Sequence, residues 1–347
     1  MSAATADRAM RVSVLRGVGD VGVEDRPVPQ PERDEVLVRI TAVGVCGSDV
    51  HYYKHGRIGS MVVTGPLVLG HEVGGTIVAV GDAVDPTRVG QRVALEPQRP
   101  CRRCRQCKTG HLNLCPDMQF FATPPVDGAF CDYVTLPADF AHPVPDSLSD
   151  AAVGLLEPLS VGIWANRKGG TAAGSRVFIT GAGPIGAVAA LSARAMGATD
   201  IIVSDPVASR RERITELASA HAVDPSAGFD PADVEADVFL ECSGATPALL
   251  DGLKAVRPGG TAVMVGHGDE HISLPVQDIQ VREVTLTGIF RYVDTWPVAI
   301  SLAATGRVDL DALVTARFGL DEVEAALTSD ADPMSMKSVV VVTEESR

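Results

Sequence analysis

The sequence predicts an α/β protein, with a doubly wound parallel sheet in one domain and a second, β-rich domain built from the rest of the chain. Three observations lead there. The apolar run Arg176–Thr180 turns through Gly181-Ala-Gly-Pro-Ile-Gly186 into an alanine-rich segment, which reads as strand, tight turn and helix. Further apolar runs follow at 200–205, 238–242, 261–266 and 285–290, each bounded by glycine or proline, as buried parallel strands require. The first 150 or so residues are instead rich in Val, Gly and Pro with short alternating runs such as Glu35-Val-Leu-Val-Arg-Ile, the pattern of half-buried strands joined by turns. At 347 residues the chain exceeds the size at which one core usually stops growing. The expected division is 160–297 for the parallel-sheet domain, with 1–159 and 298–347 together forming the β-rich one.

Along the β-rich part, Cys46 in VGVCGSDVH is followed by His71 and Glu72 in LGHEVGG. A thiolate, an imidazole and a carboxylate suit zinc, and three protein ligands leave a fourth position for water or substrate. The bland alternative is a buried thiol and a hydrogen-bonded core histidine. Cys101, Cys104, Cys107 and Cys115 then fall within one loop, a spacing that lets four thiolates close a tetrahedral structural zinc site. A disulfide cage is the alternative, and it is disfavoured because no secretory signal is recognisable at the N-terminus. Cys131 and Cys242 are left as core thiols.

The formal net charge of -14 and pI of about 5.0 exclude a nucleic-acid partner, since a polyanion is repelled. The uncharged stretch 177–193 is interrupted by the glycine turn and Pro184 and is too short to span a bilayer. A cytoplasmic protein with no membrane partner is expected, in a compartment where thiolate ligands stay reduced.

In the parallel-sheet domain, Gly181 permits the tight turn, Gly183 lets the backbone approach a pyrophosphate and Gly186 lets the helix pack on the strand. Pro184 and Ile185 open that helix, whose unpaired N–H groups face the phosphates. Asp205 closes the next strand, where its carboxylate accepts ribose hydroxyls, which favours NAD over NADP. Arg210 is compatible with either a 2′-phosphate or stacking on adenine.

Six segments in this order, CGSDVHYYKHGRIG, GPLVLGHEVGG, FATPPVDGAF, LLEPLSVGIWA, GAGPIG and GIFRYVDTWPVAI, make the chain resemble, over nearly its whole length, the zinc-containing medium-chain alcohol dehydrogenases, and within them the sorbitol and xylitol (polyol) branch. The resemblance implies a Rossmann NAD-binding domain and a GroES-like catalytic domain, with nucleotide and catalytic zinc meeting across a cleft. It places Cys46, His71 and Glu72 on the catalytic zinc, with Glu157 as an alternative ligand or acting through bound water, a choice the sequence leaves open. Ser48 passes the alcohol proton outward and His51 extends the relay. Tyr52, Glu157, Arg291 and Tyr292 supply polar partners for a polyol, and Phe120 an apolar wall. Val265, Gly266, His267, Ile289, Phe290 and Arg291 line the nicotinamide end.

The implied reaction is oxidation of a polyol to a ketose with hydride transfer to NAD, in a homo-oligomer, a tetramer in preference to a dimer. The rival readings are L-threonine or another secondary alcohol as substrate, and a non-catalytic NAD-binding protein.

Overall fold

The computed structural model describes residues 9–332 and 334–343. Residues 1–8, read above for an export signal, and the last residues of the expected β-rich domain lie outside the described residues. The chain divides into two compact units, one made of 1–157 and 309–347 and the other of 158–308. The second boundary falls after the helix Trp296–Ala304 rather than at its start. Pro297 lies in the first turn of this helix, where its missing N–H has no intrahelical partner to lose.

Among the described residues, the first unit holds a seven-stranded sheet. Its order is Ala141–Pro143, Arg92–Leu95, Glu72–Val80, Glu35–Gly44, Lys337–Val341 and Val314–Gly319, with Tyr133–Pro137 also pairing to Glu35–Gly44. The β-branched residues Val36, Val38, Ile40, Val43, Val73, Ile77 and Val93 are fully buried, so packing on a pleated surface sustains this sheet. Two strand registers bring distant residues together at Gly44. Glu72 lies opposite it on one side, and Val339 of the tail strand lies opposite it on the other.

The second unit, again among the described residues, is a six-stranded parallel sheet. Its order is His221–Val223, Asp200–Ser204, Arg176–Thr180, Ala236–Glu241, Val256–Met264 and Thr285–Gly288. That is the dinucleotide order, reversing between Arg176–Thr180 and Ala236–Glu241, and ligands of such sheets bind outside the carboxyl ends of the strands at that reversal. His221–Val223 has no counterpart among the strands expected from sequence. It is a three-residue strand at the sheet edge with no fully buried residue, too short and too exposed to leave a hydrophobic pattern.

Candidate metal centres and dinucleotide site

Strand Glu35–Gly44 delivers the chain to Cys46, which caps the helix Gly47–His55. Asp49, at the third helical position, accepts the Cys46 N–H at 3.0 Å with Oδ2 and the Gly70 N–H at 2.9 Å with Oδ1. One fully buried carboxylate thereby ties together the two segments that carry Cys46 and His71. His71 Nδ1 stands 3.7 Å from Asp49 Oδ1, beyond hydrogen-bond reach, and is buried without a hydrogen-bond partner. Burial opposes charge on His71, but Cys46 and Asp49 overcome it and raise its pKa well above the ordinary imidazole range.

Glu72 is fully buried at the start of its strand. Its Oε1 pairs with the Lys337 ammonium, while Oε2 is buried without a hydrogen-bond partner. A side chain at position 44 would collide with Oε2, so glycine there makes the space for the carboxylate. Burial works against the Lys337 charge, yet Glu72 and Cys46 outweigh it and its pKa is raised.

One donor atom each from Cys46, His71 and Glu72 lies within 4.8 Å of the others. This set fits zinc: its donor chemistry is right, and it answers for a buried carboxylate oxygen that otherwise has no partner. Glu157 is buried in the first turn of the helix Leu156–Gly169. It is not one of this three-residue group, though its charge is felt at Lys337.

The Phe120 ring packs on His71 with centroids 5.6 Å apart. Ser48 is half-buried two residues beyond Cys46. His51 is exposed and packs against His55 at 4.6 Å. Tyr52 is buried in the core of this unit with its hydroxyl 3.9 Å from the Met61 sulfur.

The second cysteine group is equally compact, with Cys101, Cys104, Cys107 and Cys115 sulfurs within 4.8 Å of one another. The backbone N–H groups of Cys101, Cys104 and Cys107 donate to the sulfurs of Cys115, Cys101 and Cys104 at 3.3, 3.4 and 3.4 Å. Such donors stabilise thiolates, and those of Arg103 and Cys104 lower the Cys101 pKa to about 7. Burial instead pushes Cys107 up to about 12, a cost that a bound cation removes. All the cysteines are free thiols, and Cys131 is a buried core thiol raised by burial to about 12.

In the second unit Gly181 has φ of +90°, a conformation costly for any residue with a side chain. A Cβ at Gly186 would strike the Gly181 carbonyl, whereas one at Gly183 would meet nothing, so open space remains beside Gly183 for a ligand. Pro184 opens the helix Pro184–Ala195, with Ile185 in its first turn. Asp205 is buried, and accepts the Ala182 N–H with Oδ2 and the Val207 N–H with Oδ1, both at 2.8 Å. Each oxygen keeps a lone pair for a ribose hydroxyl. Arg210 Nε is buried without a hydrogen-bond partner. Its neighbour Arg211 is the one that binds the Asp205 carbonyl, at 2.8 Å, and pairs with Asp224 at 3.0 Å.

Val265 and Gly266 N–H groups both donate to the Glu241 carbonyl, at 2.9 and 2.8 Å, and His267 is exposed. Ile289 N–H donates to Met264 O at 3.1 Å, and Phe290 is 41% exposed. Arg291 has φ of +53° and holds its guanidinium 4.6 Å over the Phe290 ring. Tyr292 is fully buried, edge-on to Trp296 at 6.0 Å.

Sequence reasoning missed three residues. Asp49 was signalled by its place three residues after an N-cap. Glu241 takes the N–H groups of Ser243 and Gly244 on Oε1, both at 2.8 Å, and so shapes the loop after its strand. Lys337 had no local signal at all.

Two family models match the chain: the alcohol dehydrogenase GroES-like domain over residues 32–146, and the zinc-binding dehydrogenase domain over 184–305. Sorbitol dehydrogenase from Gallus gallus is 44% identical over 319 residues, covering 89% of this chain and 90% of that protein. Sorbitol dehydrogenase from Bacillus subtilis is 42% identical over 331 residues, covering 93% and 94%. The solved structure of L-idonate 5-dehydrogenase from Escherichia coli superposes with a TM-score of 0.91 at 31% identity, covering 96% of this chain and 98% of that one. With the thiolate–imidazole–carboxylate triad, the four-cysteine loop and the dinucleotide sheet all in place, the chain belongs to the zinc-containing medium-chain dehydrogenases, in their polyol branch.

Proposed function

We propose that the protein oxidises a secondary hydroxyl of a polyol to the ketose, with NAD as hydride acceptor. The observation that carries this reading is the open three-residue donor set of Cys46, His71 and Glu72, their donor atoms within 4.8 Å of one another, in a chain 44% identical to a sorbitol dehydrogenase. Zinc held by these residues supplies Lewis-acid activation of the hydroxyl, and NAD held by the glycine turn and Asp205 supplies the hydride acceptor.

The chain's own residues do the rest. Ser48 takes up the alcohol proton and hands it toward solvent, with His51 on the exposed face of the same helix extending the relay. Phe120, against His71, keeps water from one side of the metal centre. Glu157 serves as a nearby carboxylate for the substrate or its water, and Arg291 and Tyr292 hydrogen-bond further hydroxyls, which need partners once they leave water. Tyr52 is a further polar partner for the polyol. The protein acts in the cytoplasm as a homo-oligomer, a tetramer in preference to a dimer.

The test is NADH formation from a panel of polyols, L-threonine and 2,3-butanediol, with NAD and NADP in parallel, on zinc-assayed protein. Turnover on a polyol with NAD is expected. Arg291→Ala raises KM for long polyols by about 10- to 100-fold, the worth of one charge-assisted hydrogen bond, and affects 2,3-butanediol much less. No turnover on any polyol with zinc present moves the substrate to another secondary alcohol and removes the roles of Arg291 and Tyr292.

A further inference from the structure

Lys337 has none of the ligand, relay or substrate roles assigned above, yet it is 3% exposed at the start of the strand Lys337–Val341. A buried ammonium is costly unless its protons are taken. Here one goes to Glu72 Oε1 and another to the carbonyl of Val45, at 2.9 Å, the residue immediately before Cys46. The lysine therefore links the two segments that present Cys46 and Glu72. It also divides the Glu72 carboxylate into two unlike oxygens: Oε1 is committed to the ammonium, and Oε2 is the buried oxygen with no partner. Gly44 leaves the space that Oε2 occupies, since any side chain there would collide with it.

We infer that Lys337 is a positioning residue that sets how Glu72 binds the metal. By holding Oε1, it restricts Glu72 to a single metal–oxygen bond through Oε2, and this keeps the fourth coordination position open for the substrate hydroxyl. The inference rests on the proposed zinc role of Cys46, His71 and Glu72. Without the lysine, Oε1 is a buried anionic oxygen whose nearest remaining cation is the metal. Both oxygens then turn to it, and the coordination number rises at the expense of the open position.

The test uses cobalt(II) in place of zinc, because four-coordinate cobalt absorbs visible light much more strongly than five- or six-coordinate cobalt. The contribution of the Cys46 site is read as the difference between the loaded enzyme and its Cys46→Ser variant, with cobalt per chain measured in each. Wild type and Lys337→Arg, which keeps a charged donor, are expected to show the intense four-coordinate bands. Lys337→Met is expected to keep its cobalt while those bands fall several-fold, with kcat falling in the zinc enzyme. Lys337→Gln, uncharged and too short to hold Oε1 but polar in the buried site, is read in the same way if the methionine variant does not fold.

A folded Lys337→Met or Lys337→Gln with the wild-type spectrum overturns the inference. So does a weak, high-coordination spectrum in the wild type itself, whatever the variants do. A folded wild type that takes up no cobalt beyond the amount in Cys46→Ser overturns the metal reading instead, and this role with it. The metal-to-chain ratio distinguishes that result from the other two.

Discussion

Asp205 meets the glycine turn through the Ala182 N–H and the following helix through the Val207 N–H, so a ribose bound there is read by a carboxylate already fixed at both oxygens. In the proposed role, replacing it with alanine would remove the acceptors of the ribose hydroxyls and a negative charge that repels a 2′-phosphate. Asp205→Ala is expected to raise KM for NAD by about 10- to 100-fold and to narrow the preference over NADP, as steady-state kinetics with each cofactor will show. An unchanged ratio of kcat/KM for the two cofactors removes Asp205 as the discriminating group. The donor chemistry of Cys46, His71 and Glu72 was legible in the sequence because the residue types themselves declare it. Lys337 was not, because its partner lies 265 positions away and a lone lysine in a strand of valines suggests an exposed face. Asp49 was legible only as a helix cap, and its contact with Gly70 needed the fold.

At the scale of elements, the glycine turn was readable because each glycine has a steric reason: a left-handed φ at Gly181, open space at Gly183, and contact with a carbonyl at Gly186. The strand Arg176–Thr180 matches its sequence pattern at both ends. Val256–Met264 begins earlier than its apolar run because Val256 already pairs with Ala236, ahead of an irregularity at Pro258, Gly259 and Gly260 where the register shifts and Gly259 takes a left-handed φ of +72°. The helix Trp296–Ala304 falls with the parallel-sheet unit, across the boundary expected at 297.

The proposed zinc would join the four cysteine sulfurs and hold their loop. The loop carries a four-residue helix and a three-residue 3-10 turn, too little regular structure to hold together by packing. Cys104→Ser is expected to remove one zinc per chain and to open the loop 101–115 to limited proteolysis, while NAD binding persists. Unchanged metal content in a folded variant excludes the loop as a zinc site.

For the whole molecule, the tail returns to the first unit as the strand Lys337–Val341, paired antiparallel to Glu35–Gly44. The metal centre in that unit therefore takes residues from three distant stretches of the chain: 46–49, 70–72 and 337. The sequence order, with both cysteine motifs before the dinucleotide segment and a tail after it, was enough to require such a return, but not to say which strand the tail joins or which residue it brings. The parallel sheet, by contrast, is built from consecutive strand and helix units, so most of its order follows from short right-handed connections. This difference explains why the turn glycines were read with their steric reasons and the surroundings of Cys46, His71 and Glu72 were not.

In the proposed function, Cys46 is a metal ligand on which turnover depends. The decisive measurement compares wild type with Cys46→Ser for zinc per chain, NAD binding by calorimetry and NADH formation from a polyol. The account predicts about two zinc per chain falling to about one, as two separate sites require, with turnover lost and NAD affinity retained. A folded Cys46→Ser enzyme that keeps both its zinc and its turnover would contradict it.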